Sequence, residues 1–203
     1  MVVIVMAQIA GAALAQNAPN PLGEAWRKKT LEAYSNAKPT PELAQMSAVD
    51  KLVAADEIRN LTSRYTRYIN QRDWDRWCNL FTDESDYWQY TIGKVVTGPK
   101  GWRTHLDAVG MTSSSMHSLF ENLGSAEIEI LSPTTARGIW SADFFHYYPA
   151  DGAKPQGGEI VPPGYWNLVN AFYHDTYVKI DGKWFIQSEE IQTLRDEVGP
   201  LAK

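Results

Sequence analysis

Residues 64–84 read RYTRYINQRDWDRWCNLFTDE. With Ile58 and Leu61 just upstream, Tyr65, Tyr68 and Ile69 fall at three- and four-residue intervals, which predicts an amphipathic helix over 48–72. Asn70 places a polar amide beside that apolar face, close to its end. Asp73 then suits the cap of a second short helix over 74–81, stopped by the polar run TDES. After this stretch the period changes. An extended run over 86–91 is followed by a turn at Gly93 and Lys94 and a second extended run to Thr97. GPKGWRTHLDAVGM (98–111) supports a further helix, with Pro99 tolerated in its first turn. Extended segments follow over 116–122, 126–131 and 135–148, then a Pro/Gly-rich loop over 149–164. The clearest hairpin signal joins 165–180 to 183–194 through Asp181 and Gly182. Helices first and strands after them give an α+β fold. The expected architecture is a cone: a curved antiparallel sheet wrapped around N-terminal helices, with an internal cavity.

Length and composition bound the rest. The chain has 203 residues, 44% of them hydrophobic, enough for one compact domain and an extension. Residues 1–16, MVVIVMAQIAGAALAQ, are uncharged and apolar and end in small residues, as in a secretory signal peptide. The first basic residue is Arg27, so the usual positive start is missing. The expected location is periplasmic or secreted, with a cytoplasmic chain if the segment does not direct export. Such a stretch is too short for a comfortable membrane span. Residues 17–47 contain the breakers NAPNPLG and KPTPE and read as an extension with one short helix around 24–35. Residues 48–198 make the folded domain.

The formal net charge is −5 and the basic residues form no block, which argues against nucleic-acid binding. Cys78 is the single cysteine, so an internal disulfide and a thiolate metal cluster are excluded, and its setting suits a small buried hydrophobe. His105, His117, His146 and His174 match no familiar metal-ligand spacing. No phosphate loop, nucleophile elbow or dinucleotide fingerprint is present. Eight tryptophans and ten tyrosines exceed what a core of this size needs and suggest an aromatic-lined pocket. Trp74 and Trp184 fit packing at the helix–sheet junction. Asp73 and Asp75 suit a cap and a solvated face.

Three segments carry a resemblance. EIRNLTSRYTRYINQRDWDRWCNLFTDESDYW (57–88), SMHSLFENLGSAEIEI (115–130) and NAFYHDTYVKIDGKWFI (170–186) resemble, in order, the opening helices, the histidine strand and the last hairpin of a known family. These are the SnoaL-like and scytalone-dehydratase-like members of the nuclear-transport-factor-2-like superfamily. The resemblance implies that His117 points into the cone as general base or acid. The family pairs that histidine with an aspartate, and here Asn70 occupies the position. An amide can orient an imidazole but cannot offset its positive charge, so the histidine pKa should fall. Where scytalone dehydratases carry a second histidine, this chain has Trp140. Tyr173 shares one strand face with Ala171 and Asp175, and its phenol could donate to a developing oxyanion or leaving hydroxyl. The expected catalytic set is therefore His117, Tyr173 and Asn70. Tyr65, Tyr87, Gln89 and Trp140 would line the pocket, and Arg103 would sit at its mouth or on the surface. Asp175, Glu121 and Asp143 are the carboxylates that could supply the charge Asn70 lacks.

The implied activity is that of a cofactor-independent lyase: a dehydratase or a carbon–carbon-cleaving elimination enzyme, using no metal. Its substrate would be a small aromatic or polycyclic molecule, and release of formaldehyde from lignin-derived diaryl compounds is one version. The same scaffold also hosts isomerases, hydrolases and non-catalytic ligand-binding or assembly subunits, such as the small subunit of ring-hydroxylating oxygenases. A homodimer or homotrimer is expected for the fold by analogy.

Overall fold

The computed structural model describes residues 21–89, 94–108, 118–148 and 164–201. Helix α1 (Pro21–Asn36) opens the described chain, and a single 3₁₀ turn (Pro41–Gln45) leads to the long helix α2 (Ala48–Gln71). The start of α2 is fixed by a reciprocal capping box. The Asp50 N–H donates to Ser47 Oγ at 3.1 Å, and the Ser47 N–H donates to Asp50 Oδ2 at 3.1 Å. Its end is set by Arg72 in the left-handed region, φ 56°. Between these stops Ala54, Ile58, Leu61, Thr62, Tyr65, Tyr68 and Ile69 form one buried stripe, as the spacing predicts.

Asp73 caps α3 (Trp74–Cys78), accepting the Arg76 N–H through its carboxylate. The second helix expected over 74–81 is thus shorter, because Phe81 already enters strand β1 (Phe81–Gln89). Strand β2 (Lys94–Thr97) pairs back onto β1, and α4 (Gly98–Ala108) follows without a gap. That junction requires glycine: Gly98 has φ 65°, and a Cβ there would sit 2.6 Å from the Asp83 carbonyl oxygen. Trp102 of α4 is buried, stacks on Phe81 at 4.1 Å and donates its indole N–H to Ser85 Oγ at 3.0 Å.

The remaining described residues form four strands and their connections: β3 (Ser118–Ile130), β4 (Thr135–Tyr148), β5 (Tyr165–Ile180) and β6 (Lys183–Pro200). The six strands run in the order β2-β1-β6-β5-β4-β3 in a curved sheet that does not close. All pairs are antiparallel except β1 with β6. The hairpin between β5 and β6 turns at Asp181 (φ 49°) and Gly182 (φ 78°), two positive angles that match strand twist. Two expected segments, 116–122 and 126–131, form the single strand β3. A bulge between Leu123 and Ala126 breaks the alternation that made them look separate.

The inner face of β3–β6 packs on α2, α3 and α4 around Tyr65, Trp77, Phe81, Trp140, Tyr173 and Tyr177. The helix expected around 24–35 is α1, and it lies against β5 and β6. Arg27 Nε donates to Glu190 Oε1 at 2.5 Å, and Arg137 Nη1 donates to the Tyr34 carbonyl at 2.9 Å. Tyr34 meets the His174 ring edge-on at 5.4 Å, so α1 covers part of the outer sheet face. No described helix is long and apolar enough to cross a membrane.

Candidate functional site

A row of inward-facing side chains crosses the sheet where α2 ends. Alternation along β4 points Ala136, Trp140 and Ala142 inward, and along β5 it does the same for Ala171, Tyr173, Asp175 and Tyr177. Glu121 of β3 joins them, as does Glu189 of β6. Three carboxyl groups are thereby buried together, each between 1% and 4% exposed. Among the described residues none of the three forms an ion pair.

Phenols partner them instead. Tyr173 donates to Glu121 Oε1 at 3.0 Å, Tyr177 to Asp175 Oδ2 at 2.7 Å, and Tyr65 to Glu189 Oε1 at 3.4 Å. The Trp140 indole N–H donates to the Tyr177 oxygen at 2.7 Å, completing a line from indole to phenol to carboxylate. Among the described residues, Asp175 Oδ1 and Glu189 Oε2 are buried without a partner. Burial disfavours the ionised form of each group. It pushes the Glu121 carboxyl up to about 7 against the opposing effect of the Tyr173 hydrogen bond. The Asp175 carboxyl also rises to about 7, through burial, and Glu189 rises well above the usual carboxylate range through burial and its acidic neighbours. Glu121 and Asp175 therefore exchange protons near neutral pH, where ordinary aspartate and glutamate do not. Among the described residues no group of His, Cys, Asp and Glu is arranged to hold a metal ion.

The expected site residues fall as follows. Tyr173, Tyr65 and Trp140 come together around the carboxyls. Asn70 reaches the same place through the backbone. Its Nδ2 donates to the Glu121 carbonyl at 2.7 Å, and its Oδ1 accepts the Glu121 N–H at 2.8 Å. The amide therefore ties the last turn of α2 to β3 at the residue that carries a carboxyl inward. His117 lies outside the described residues. Tyr87 and Gln89 lie on β1, in register with Val96 and Lys94 of β2. Arg103 is at the surface, its Nη1 donating to Asp75 Oδ1 at 2.8 Å, with Asp107 beside it. Of the three carboxylates suggested for the charge missing at Asn70, Glu121 and Asp175 are inside. Asp143 is outside, accepting from Asn170. Trp74 is buried as expected, and so is Trp184, which also donates to Glu57 Oε2 at 3.0 Å.

Sequence reading missed Tyr177 and Glu189. Tyr177 was within reach, since it continues the face of Ala171, Tyr173 and Asp175. Glu189 was not. Counting by twos from Trp184 and Ile186 puts Ser188 and Glu190 inward, but the register shifts between Thr176 and Tyr177. Ile186 opposes Tyr177 and Ser188 opposes Thr176, which leaves Gln187 as an extra residue and turns Glu189 in.

The relatives share this architecture. A hexachlorocyclohexane dehydrochlorinase, LinA-type3 of Novosphingobium barchaimii LL02, superposes with a TM-score of 0.59 at 18% identity, covering 77% of this chain and 95% of that one. A scytalone-dehydratase-like protein of Novosphingobium aromaticivorans DSM 12444 gives 0.57 at 17% identity, covering 75% and 90%. In sequence, "Probable cyclase FGR4" of Gibberella zeae is 24% identical over 151 residues, 70% of this chain and 91% of that protein. Residues 50–189 match the family model described as SnoaL-like domain, from the start of α2 to the inward-turned glutamate, and the chain belongs to that family.

Proposed function

We propose that this chain is a cofactor-independent lyase that eliminates water, or cleaves a carbon–carbon bond, in an aromatic or polycyclic small molecule. The observation that carries this reading is the buried Tyr173–Glu121 pair. A phenol is held at 3.0 Å on a carboxyl that titrates near 7, among aromatic rings. Elimination needs a base to take a proton from carbon and an acid to protonate the departing oxygen, and a group works best in either role near its own pKa. Tyr173 would give its hydroxyl proton to the departing oxygen and recover it from Glu121, and the proton that His117 takes from carbon would return to Glu121 after release, so none is gained or lost over the cycle. His117 is the proposed base. Asn70 positions Glu121 through its backbone, a role that needs no charge.

The names of the relatives, a dehydrochlorinase, a dehydratase-like protein and a cyclase, support small-molecule chemistry of this type. Release of formaldehyde from a lignin-derived diaryl compound fits the same acid–base set and is the carbon–carbon version of the proposal. The test is turnover of hydroxylated aromatic substrates by the purified chain without added metal or nicotinamide. His117→Ala should cost roughly a hundredfold or more in kcat and leave ligand binding intact. Tyr173→Phe should lower kcat with little change in KM. Unchanged turnover in both variants would overturn the assignment, and obligate co-purification with a larger subunit would favour an assembly module.

A further inference from the structure

We propose that Asp175 and Glu189 form a single proton-binding site, a carboxyl pair that holds one proton between two buried side chains at neutral pH. The two residues are directly opposed on adjacent antiparallel strands. Side chains so placed have Cβ atoms about 4.5–5.5 Å apart. Both are essentially inaccessible, at 2% and 1% exposure. Each already accepts one phenol hydrogen bond, from Tyr177 and Tyr65 respectively. Each keeps one oxygen, Asp175 Oδ1 and Glu189 Oε2, buried and without a partner among the described residues. A proton shared between those two oxygens would satisfy both at once.

The surroundings leave few other ways to balance the charge. Among the described residues the pair faces Tyr65 from α2, Glu121 from β3, Trp140 from β4, and Tyr173 and Tyr177 from β5. These are neutral donors or further acid. Glu190 adjoins Glu189 on β6 but faces outward, to Arg27 of α1, and Tyr34 of α1 lies on that same outer side. Two carboxyls on directly opposed strand positions in a dry interior cannot both ionise near neutrality, yet one proton suffices to convert repulsion into a hydrogen bond. Gly138, opposite Asp175 on β4, brings no side chain into the row, and a Cβ there would crowd the Trp140 indole nitrogen at 3.3 Å and the Tyr177 ring at 3.4 Å. The pair therefore titrates as a unit, with macroscopic steps that belong to neither residue alone.

The inference is independent of the lyase reading and stands or falls by proton counting. Glu121→Gln provides the background, so that the third interior carboxyl does not contribute. In that background, proton release on unfolding at neutral pH is compared with and without Asp175→Asn and Glu189→Gln together. The expected difference is one proton. A difference of zero means both groups are ionised in the fold, and a difference of two means each is separately neutral. Either result overturns the proposal. Should the amide variant not fold, the unsubstituted protein still gives an answer through the carboxyl carbon of Asp175, followed by ¹³C NMR with selectively labelled aspartate. A two-step titration supports the shared proton, and a single unperturbed step overturns it.

Discussion

Asn70 shows how one polar residue can be read correctly for place and differently for partner. The sequence sets it where the helix flank meets the interior, and it does lie there. Its amide is spent on both backbone groups of Glu121, a pairing that requires a donor and an acceptor on one side chain. Asn70→Asp, the family's residue, keeps the acceptor but turns a carboxylate oxygen toward the Glu121 carbonyl. It should destabilise the fold by about 1–3 kcal/mol, measured by urea unfolding, despite restoring the family pattern. Equal stability would show that the clamp contributes little. The interior carboxyls also give the fold a pH dependence of unusual sign. Glu121 titrates near 7 in the fold and near 4 when unfolded, so the native state binds more protons between those values, and burial of the Asp175–Glu189 pair acts in the same direction. The stability contributed by Glu121 should therefore be fully present below the unfolded pKa and be lost as pH rises toward 7, by up to about 1.4 kcal/mol per unit. Glu121→Gln should flatten that slope, and an unaltered urea midpoint across the range in both proteins would contradict the assignment.

Elements were legible in proportion to their periodicity. Helix α2 was legible along its stripe, whereas its Ser47 cap comes from the structure and is worth testing: Ser47→Ala should cost about 1 kcal/mol of stability. The β5–β6 hairpin announced itself through its Asp-Gly turn. Bulges were not legible, because an extra residue has no compositional signature of its own. The one in β3 made a single strand look like two, and the one at Gln187 in β6 hid Glu189. Helix α1 was foreseen, but its seat was not, since a salt bridge 163 residues distant leaves no local pattern. Arg27→Ala leaves Glu190 buried and unpaired. It should cost at the lower end of the 1.5–3 kcal/mol typical of charged hydrogen bonds, because Arg27 is itself partly exposed. Faster amide exchange confined to α1 and β6 would locate the effect.

For the whole molecule, the α+β order of the chain and the curved sheet agree with expectation, and the family match covers most of the domain. The outer sheet face adds a feature that alternation alone foreshadows. Phe120, Phe145, Tyr147 and Phe172 are all at least 37% exposed there, beside the part covered by α1. Phe120 and Phe145 are direct cross-strand neighbours. Phe172 stands apart from these, beyond the Asp143–Asn170 pair. Exposed aromatic rings grouped in the manner of Phe120, Phe145 and Tyr147 commonly mark an association surface. A homo-oligomer is accordingly proposed, and Phe145→Glu should shift its sedimentation coefficient toward the monomer while leaving the far-ultraviolet spectrum unchanged. A wild-type chain that sediments as a monomer at all concentrations would refute it.

The extra residue at Gln187 has one more result. Glu189 and Glu190 are twins by spelling and opposites by address, one sent among phenols and the other to an arginine on the far side. Anyone transferring roles from this chain to a cousin with a one-letter gap would exchange them unknowingly, because the text looks the same either way. Only the differing fates of Glu189→Gln and Glu190→Gln, a lost interior proton against a loosened helix, would expose the swap.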